Sequence, residues 1–322
     1  MEVVPTKRLV LVAGRAHPEL SAEVATHLDV PLGECVLSTF ANGEIYCRYG
    51  ENIRGTDLFV FQTHGAAIND SLMEQLIMID AAKRASADRI TAVCPFYGYA
   101  RQDRKAEGRE PITARLVADM LTAAGADRVV TVDLHTGQVQ GFFDYPVDHL
   151  TAVPVIAAHL AEAVDNDAVM VAPDAGGGKL ARMFADRLSA DIAFIDKRRP
   201  KGTHNVAVAT EVVGDIVGRT CVIVDDMIDT AGTVVSAANL LIDRGATDVY
   251  IAATHGLLSG PAVDRLKNAP VREVVVTNTV PISDDKRFDS LRVLSIAPLV
   301  GDAIAAVFED RSVSQLFDGD NM

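Results

Sequence analysis

The chain of 322 residues lacks tryptophan, and aromatic residues make up only 5% of it. Its four cysteines, Cys35, Cys47, Cys94 and Cys221, form no CxxC pair, which excludes a zinc site or a disulfide framework and indicates reduced thiols. No apolar run approaches the ~18 residues that span a membrane, and no basic segment precedes a cleavable apolar stretch at the start. We therefore expect a cytoplasmic protein without a membrane-spanning helix or a signal peptide.

Positive charge is also scarce, since 30 Lys and Arg stand against 44 Asp and Glu, a net charge of −14. A chain this acidic is a poor general binder of nucleic acid or of an anionic membrane, and we expect neither as a partner. Two basic clusters stand out against this background, at residues 101–109 and 197–201. Each follows an apolar strand-like run, which favours the binding of small anionic ligands over a merely solvated surface loop.

Short apolar runs alternate with helical patterns along the whole chain. Most runs, such as Cys221–Val224, are continuously apolar, as strands buried on both faces of a parallel sheet are. Residues 113–135 also resemble residues 233–255, and both copies read as a helix, a Gly-Ala turn and a strand. We predict an α/β protein of two tandem, similar domains, each a mainly parallel sheet flanked by helices.

The repeat places the domain boundary near residue 150. We assign residues 1–150 to an N-terminal domain and residues 151–304 to a C-terminal domain, and we expect the tail, residues 305–322, to pack back on the first. Ligands in such folds bind outside the carboxyl ends of the strands. Polar residues that follow apolar runs are therefore the candidates for function.

The strongest motif follows the apolar run Cys221–Val224. Its candidate binding residues are Asp225, Asp226, Asp229, Thr230, Ala231, Gly232 and Thr233. The hydroxyls and N–H groups at its end would stand at a helix N-terminus, where the macrodipole favours a phosphate. The first two carboxylates would repel phosphate, and sugar hydroxyls are their natural partners. The pattern indicates a site for a phosphorylated sugar, with a helix cap and spare acids as the alternative.

This motif resembles the phosphoribosyl-binding signature of the type I phosphoribosyltransferases. Further stretches narrow the resemblance to the ribose-phosphate diphosphokinase family: FANGE (40–44), PFYGYARQD (95–103), TVDLHTG (131–137), PDAGG (173–177) and DKRRP (196–200). The resemblance implies transfer of an intact diphosphoryl group from MgATP to the anomeric hydroxyl of ribose 5-phosphate. The products would be AMP and phosphoribosyl diphosphate (PRPP), a precursor in nucleotide biosynthesis.

The resemblance also implies which residues bind ATP. It assigns the adenine to Phe40, Asn42, Gly43 and Glu44, reaching across from a neighbouring subunit, and further ATP contacts to Arg101 and Gln102. An aromatic face beside amide and carboxylate groups can hold a purine ring, and an arginine fork can clamp a phosphate. Taken alone, the FANGE segment indicates only a turn at Asn-Gly.

Mg²⁺ is the cofactor that the resemblance implies, with His135 and Asp174 as its associated residues. A carboxylate suits Mg²⁺ but an imidazole does not, so His135 would act through water or bind phosphate. Without the resemblance, a single histidine at a strand end indicates a structural residue.

Lys197 and Arg199 are the implied catalytic residues, on a charged loop at 197–202 that can close over substrate and stabilise the developing charge. Arg199 is also assigned to ribose 5-phosphate.

A possible effector site is implied at Arg54, Asp148, Ser312 and Ser314. In the family such residues build an inter-subunit site at which ADP inhibits and inorganic phosphate activates. An arginine with hydroxyls suits an oxyanion, and a surface arginine with a solvated tail is the alternative. The resemblance further implies a homo-oligomer, and we expect a hexamer.

Two rival functions remain open at this point. A phosphoribosyltransferase would share the motif at 225–233 but would leave residues 40–44 and 95–103 unexplained. A non-catalytic regulatory partner of a PRPP synthetase would be expected to lose the basic loop at 197–202, which is intact here.

Overall fold

The structure, a computed structural model, describes residues 7–65, 67–198 and 208–317. It divides into two compact units. The first comprises the described residues up to Thr151, Thr279–Pro281 and those from Ser295 onward, and the second comprises Ala152–Asn278 and Ile282–Leu294.

The first unit is built on a parallel sheet. Its strands are β1 (Leu9–Ala13), β2 (Cys35–Thr39), β3 (Ile45–Tyr49), β4 (Asp57–Phe61), β5 (Arg89–Cys94), β6 (Arg128–Val132) and β7 (Val147–Leu150). Five of them form an all-parallel sheet in the order β1-β4-β5-β6-β7, and β2 and β3 form a separate antiparallel hairpin. The helices of this unit are α1 (Pro18–His27), α2 (Ile68–Arg84), α3 (Thr113–Ala124) and α8 (Ala297–Phe308).

Burial on both faces explains the continuous apolar runs of this sheet. All five residues of β4 are buried, although successive side chains point to opposite faces. Leu58 and Val60 on one face share a core with Met78 of α2 and Leu121 of α3. Helix α8 lies wholly within the first unit, whereas the sequence-based division at residue 304 cuts through it.

The second unit contains a seven-stranded sheet. Its strands are β8 (Val169–Ala172), β9 (Asp191–Arg198), β10 (Val208–Val213), β11 (Thr220–Ile228), β12 (Asp248–Gly256), β13 (Glu273–Thr277) and β14 (Leu291–Leu294). The order is β10-β9-β8-β11-β12-β13-β14, and every neighbouring pair is parallel except β10 and β9. Its helices are α4 (Val153–Ala163), α5 (Gly178–Leu188), α6 (Gly232–Asp243) and α7 (Ala262–Lys267).

The internal repeat corresponds to one helix and one strand in each unit. Gly125 ends α3 with a φ of 120°, and its N–H donates to the carbonyl of Leu121. Gly245 follows α6 with a φ of 95°. Glycine adopts this left-handed backbone without steric cost, so each helix stops where the next strand must start. The predicted class of two similar α/β domains with mainly parallel sheets is confirmed.

Candidate functional site

Three neighbouring parallel strands of the second unit end at one edge of its sheet. Pairing places Ala193 of β9 and Ile223 of β11 level with the same residue of β8. Asp225 lies two residues beyond this level and Lys197 four, and Asp174 lies two residues after the end of β8. The register therefore gathers candidate residues from distant parts of the chain at the carboxyl edge of the sheet, where such folds bind ligands.

The strand that carries the acidic pair is longer than its apolar run indicates. The run stops at Val224, but β11 continues because its backbone pairs with β12 as far as Ile228, which lies opposite Gly256. Asp225 and Asp226 are therefore part of a strand and project to opposite faces of it. Hydrogen bonding to β12 holds both carboxylates on a rigid element.

Asp225 is half-buried among other acidic groups. Its Oδ1 accepts a hydrogen bond from the N–H of Asp226 at 2.9 Å. Burial raises the pKa of Asp225 well above its usual value, and the charges of Asp226 and Asp174 raise it further. Hydroxyl donors or a cation would relieve this repulsion, whereas a phosphate would increase it.

A tight turn joins β11 to α6. Ala231 has a left-handed φ of 59°, α6 begins at Gly232, and no side chain in the described part of the chain caps this end of the helix. Thr230 and Thr233 are exposed at the turn. The N–H groups of the first helical turn and two exposed threonines thus lie at one turn, which suits a phosphate.

Hydrogen bonds from the segment after β12 and from α7 fix this turn. The carbonyl of Asp229 accepts the N–H of Ser259 at 2.8 Å, and the carbonyl of Thr230 accepts Nη1 of Arg265 at 2.9 Å. A Cβ at Gly232 would stand 3.3 Å from the same Nη1. Sequence reasoning missed Arg265, because nothing in the local pattern of α7 connects it with a motif more than thirty residues earlier.

Asp174 opens the glycine-rich turn after β8. Its Oδ1 accepts the N–H groups of Gly176 at 2.9 Å and Gly177 at 3.2 Å, so the carboxylate caps its own turn. The side chain is exposed, and its charge acts on Asp225. An acid from the turn after β8 and an acid from β11 therefore belong to one electrostatic site.

The basic loop predicted at 197–202 needs one correction. Lys197 and Arg198 are the last residues of β9, because β10 pairs antiparallel with this part of the strand and Ala209 lies opposite Lys197. Arg199 lies outside the described residues. The backbone of Lys197 is thus part of the sheet edge that carries the acidic groups.

The first unit places three further candidates at the carboxyl edge of its own sheet. Arg101 and Gln102 follow β5, His135 follows β6, and these strands are parallel neighbours. All three residues are exposed. The carbonyl of Gln102 accepts the N–H of Ala114 at 3.1 Å, and its side-chain oxygen accepts the hydroxyl of Thr113. Gln102 is thereby tied to the start of α3.

The FANGE segment forms the tip of the β2–β3 hairpin. The N–H of Phe40 donates to the carbonyl of Glu44 at 2.8 Å, and Gly43 has a φ of 92°. The side-chain oxygen of Asn42 accepts the N–H of Glu44 at 3.2 Å. The ring of Phe40 is 55% exposed and meets Tyr46 edge-on, with 6.1 Å between centroids. The Asn-Gly turn thus presents an open aromatic face beside an amide and a carboxylate.

Three of the four candidate effector residues line one cavity of the first unit. Asp148, Ser312 and Ser314 border a space of about 530 Å³, and Arg54 is not among the described residues around it. The carboxylate of Asp148 is paired with an arginine, because its Oδ2 accepts a hydrogen bond from Nη1 of Arg128 at 2.6 Å. The cavity therefore combines hydroxyl groups with a neutralised carboxylate.

Sequence reasoning missed the basic groups of this cavity. Arg128 at the start of β6, His149 in β7 and Arg311 after α8 also line it. These three residues are far apart in the sequence and belong to different elements, so no local motif indicates them. His149 has a further contact, since its Nε2 accepts the N–H of Leu134 at 2.8 Å. The wall of the cavity is thereby joined to the residue before His135.

Asp310, at the rim of this cavity, makes a testable contribution to acid stability. Its carboxylate pairs with Lys7 at 2.9 Å and Arg89 at 2.8 Å, and hydrogen bonds from these two groups lower its pKa from 3.8 to about 2. A lowered carboxyl pKa stabilises the fold above the unfolded-state value, and this contribution disappears as the pH falls through the folded-state value.

We therefore expect Asp310→Asn to reduce the loss of thermal stability between about pH 4 and about pH 2. Melting temperatures of both proteins at neutral pH and across that window test this expectation. Two curves that stay parallel throughout the window would contradict it.

The described residues contain neither a metal-binding cluster of side chains nor a membrane-spanning helix. In residues 7–65, 67–198 and 208–317, no group of three or more His, Cys, Asp and Glu side chains could hold a metal ion. His135 and Asp174 belong to different units. Within the same ranges, no helix combines the length and apolar character needed to cross a membrane.

Two family models match the chain and cover most of it together. Residues 9–125 match the N-terminal domain of ribose phosphate pyrophosphokinase, and residues 196–318 match the phosphoribosyl synthetase-associated domain. The first match spans the FANGE hairpin and Arg101, and the second spans Lys197 and the acidic strand β11.

Full-length relatives agree with these matches. A ribose-phosphate pyrophosphokinase from Bifidobacterium longum is 56% identical, over 99% of this chain and 95% of its own length. One from Mycobacterium tuberculosis is 57% identical, over 98% and 97% respectively. The crystal structure of phosphoribosylpyrophosphate synthetase from Mycobacterium smegmatis superimposes with a TM-score of 0.89 at 56% identity, covering 94% of this chain and 100% of that one. The resemblance found in the sequence is confirmed, and the chain belongs to the ribose-phosphate pyrophosphokinase family, whose members are diphosphoryl transferases.

Proposed function

We propose that this chain transfers the diphosphoryl group of ATP to the C1 hydroxyl of ribose 5-phosphate, giving PRPP and AMP. One observation carries the proposal: a single sheet edge of the second unit joins the carboxylates of Asp174 and Asp225 to the N-terminus of α6 and to Lys197. Carboxylates that can accept hydrogen bonds from sugar hydroxyls thus lie beside N–H groups that can bind a phosphate. Membership of the family supports the choice of donor and acceptor.

Ribose 5-phosphate would bind along β11 and the turn after it. Asp225 and Asp226 would accept hydrogen bonds from the ribose hydroxyls, which satisfies carboxylates that otherwise repel each other. The 5-phosphate would receive the N–H groups of residues 229–233 and the hydroxyls of Thr230 and Thr233. Because the turn is fixed by Arg265 and Ser259, it need not rearrange on binding.

ATP would bind to residues of the first unit. We assign the adenine to the hairpin tip, where the exposed ring of Phe40 can stack and Asn42 and Glu44 can bond the ring edge. Arg101 would clamp phosphate oxygens with its planar guanidinium, and Gln102 would contribute its amide. His135 stands at the same sheet edge, one strand away, and would meet the phosphates directly or through water.

The chemistry needs positioning and charge stabilisation more than a protein nucleophile. The C1 oxygen of the sugar forms a bond to the β-phosphorus of ATP, and the bond from that phosphorus to the oxygen bridging the α-phosphorus breaks. AMP leaves with the bridging oxygen, and the C1 hydroxyl proton is released. Lys197 and Arg199 would stabilise the negative charge that develops on the transferred group and on AMP.

The donor set of the second unit fits Mg²⁺. Mg²⁺ takes oxygen ligands, keeps several waters and binds through one or two carboxylates plus substrate phosphates, so it needs no cage of three side chains. The exposed carboxylate of Asp174 and the raised pKa of Asp225 mark a place that gains from a cation. We propose Asp174 as the protein ligand; the bound ion would neutralise phosphate charge.

Product analysis tests this function. Purified protein is incubated with ATP, Mg²⁺ and phosphate buffer, with and without ribose 5-phosphate, and nucleotides are separated by chromatography. We expect AMP to form only in the presence of the sugar, together with an equal amount of PRPP. ADP in place of AMP would mean transfer of the γ-phosphoryl group alone and would contradict the proposal.

The rival functions give different outcomes in the same assay. A phosphoribosyltransferase would leave ATP intact but would consume PRPP when a nucleobase is added. A non-catalytic regulatory partner would bind ribose 5-phosphate without turnover. The intact basic segment at 196–200 supports the enzyme over the regulatory partner.

Inorganic phosphate and ADP are the proposed effectors, and the cavity lined by Ser312 and Ser314 is their proposed site. Loss of one hydroxyl that bonds an anion costs about 1.5–3 kcal/mol, so we expect Ser312→Ala and Ser314→Ala to raise the phosphate concentration for half-maximal activation by about 10-fold or more. Ser283→Ala, at an exposed serine of the second unit, is the control. Activation curves that coincide for all four proteins would contradict this assignment.

We further propose that the chain forms a homo-oligomer, expected to be a hexamer, and works in the cytoplasm. Family resemblance supports the oligomer, and the half-exposed apolar side chains of Met73 on α2 and Leu116 on α3 offer surface for contacts between copies. The cytoplasmic assignment is supported by the use of ATP and by four cysteines in the thiol form. Light scattering gives the mass of the assembly directly.

A further inference from the structure

A buried histidine of the first unit has no part in the function described so far. His64 follows β4 at the carboxyl edge of the sheet and is 0% exposed. Burial lowers its pKa to about 4, so the imidazole is neutral near pH 7. A neutral imidazole has one donor and one acceptor nitrogen, and both are used here.

The hydrogen bonds of His64 determine its tautomer. Its Nδ1 accepts the N–H of Gly98 at 3.0 Å, so the proton is on Nε2, which lies 2.9 Å from Oε1 of Gln75. Gln75 is itself fixed, because its Nε2 donates to the carbonyl of Val60 at 3.0 Å and its Oε1 also accepts the thiol of Cys94. The acceptor atom Nδ1 is therefore aimed at Gly98 by a buried chain of hydrogen bonds.

The backbone at Gly98 begins the segment that carries Arg101 and Gln102. A Cβ at Gly98 would come within 2.9 Å of the Cβ of His64, so the backbone passes directly against the histidine. Tyr99 then turns with a φ of 62°, and its carbonyl accepts the N–H of Gln102 at 2.9 Å. The backbone at Gly98 thus leads through one tight turn to Arg101 and Gln102.

Thr63 and the backbone of His64 hold the same segment at a second point, Phe96. Oγ1 of Thr63 accepts the N–H of Phe96 at 3.2 Å, and the N–H of His64 donates to the carbonyl of Phe96 at 3.1 Å. The end of β4 therefore fixes the segment after β5 at Phe96 and at Gly98. Of these three bonds, the one to the N–H of Gly98 is made by the side chain of His64. A substitution of His64 therefore removes that bond and leaves Thr63 unchanged.

We propose that His64 is a positioning residue for ATP: its imidazole holds the backbone at Gly98 and thereby orients Arg101 and Gln102 toward the phosphates. This role rests on the proposed function, which assigns those two residues to ATP. A misplacement of about 1 Å in a substrate-positioning group can cost about 10²-fold in rate. His64 therefore acts on ATP without touching it.

Two variants separate the hydrogen bond from the filling of space. In His64→Asn the side-chain oxygen lies near the place of Nδ1 and can accept the N–H of Gly98. In His64→Leu a side chain of similar size offers no acceptor, and the N–H is left buried and unpaired. We expect His64→Leu to raise KM for ATP about 10–100-fold with KM for ribose 5-phosphate within about 3-fold of the parent protein, and His64→Asn to recover most of the loss.

His64→Gln covers the case in which His64→Leu does not fold. Its carbonyl reaches one methylene further, near the place of Nε2, and puts no acceptor at Gly98. Titration of each variant with ATP by calorimetry, without ribose 5-phosphate, reports binding even when turnover is lost. We expect His64→Gln to bind ATP more weakly than His64→Asn by about 10-fold or more.

Equal ATP affinity for His64→Asn and His64→Gln, or equal losses for both substrates, would overturn the role of His64. Such results in a protein whose parent form makes AMP and PRPP would leave the proposed function intact. A parent protein that makes no AMP would instead overturn the proposed function, and the role of His64 with it.

Discussion

We expect Lys197→Ala to lower kcat by about 10²–10³-fold while KM for ATP and for ribose 5-phosphate change by only a few-fold. The expectation follows from the place of Lys197 in the sheet. Its backbone is paired to Ala209 of β10 at the edge where Asp174 and the acidic strand β11 stand. The backbone that carries Lys197 is thus fixed in the sheet, and a cation placed from it would act on the transition state more than on the ground state.

The measurement is steady-state formation of AMP by Lys197→Ala, the parent protein and Lys83→Ala. Lys83 is an exposed lysine near the end of α2, so its removal controls for the loss of one positive charge from an acidic chain. We expect Lys83→Ala to match the parent protein. A Lys197→Ala protein that retains more than about a tenth of the parent kcat would contradict a role in transition-state stabilisation.

We expect Asp225→Asn to raise KM for ribose 5-phosphate by about 10–100-fold and at the same time to raise the melting temperature. A carboxylate that accepts a sugar hydroxyl contributes about 1.5–3 kcal/mol per charged hydrogen bond, and the amide replaces one of its acceptor oxygens with a donor. The same change removes the charge that burial, Asp226 and Asp174 disfavour. The substitution therefore removes an electrostatic repulsion that destabilises the fold, and with it the carboxylate that binds the sugar.

Asp243→Asn is the matched control, because Asp243 is an exposed aspartate at the end of α6. We expect it to leave KM for ribose 5-phosphate and the melting temperature near the parent values. A fall in the melting temperature of Asp225→Asn would contradict the repulsion inferred at β11. An unchanged KM for the sugar would contradict its role as a hydroxyl acceptor.

The class of fold could be predicted because strands buried on both faces of a sheet are recognisable as continuous apolar runs in the sequence. Strands such as β4 are apolar at nearly every position, and Gly125 and Gly245 mark where helices must stop. The ends of β9 and β11 could not be predicted in the same way. Both continue through charged residues, since their length is determined by hydrogen bonding to β10 and β12 and not by apolar side chains.

The candidate site was predictable where its residues are adjacent in the chain. The segment from Asp225 to Thr233 is a local motif with its own physical logic, and the turn at Gly43 follows from Asn-Gly. Residues that act from a distance belong to no such motif. Arg265, which bonds the turn before α6, and His64, which holds Gly98, are single residues of ordinary type, and only the folding of each unit brings them to their contacts.

The most direct test of diphosphoryl transfer follows the β-phosphorus itself. ATP labelled at the β-position is incubated with the protein, Mg²⁺ and ribose 5-phosphate, and the products are separated. The proposed reaction places the label in PRPP and leaves AMP unlabelled, because the β- and γ-phosphoryl groups move together. Label retained in a nucleoside diphosphate, with only the γ-phosphoryl group on the sugar, would contradict it.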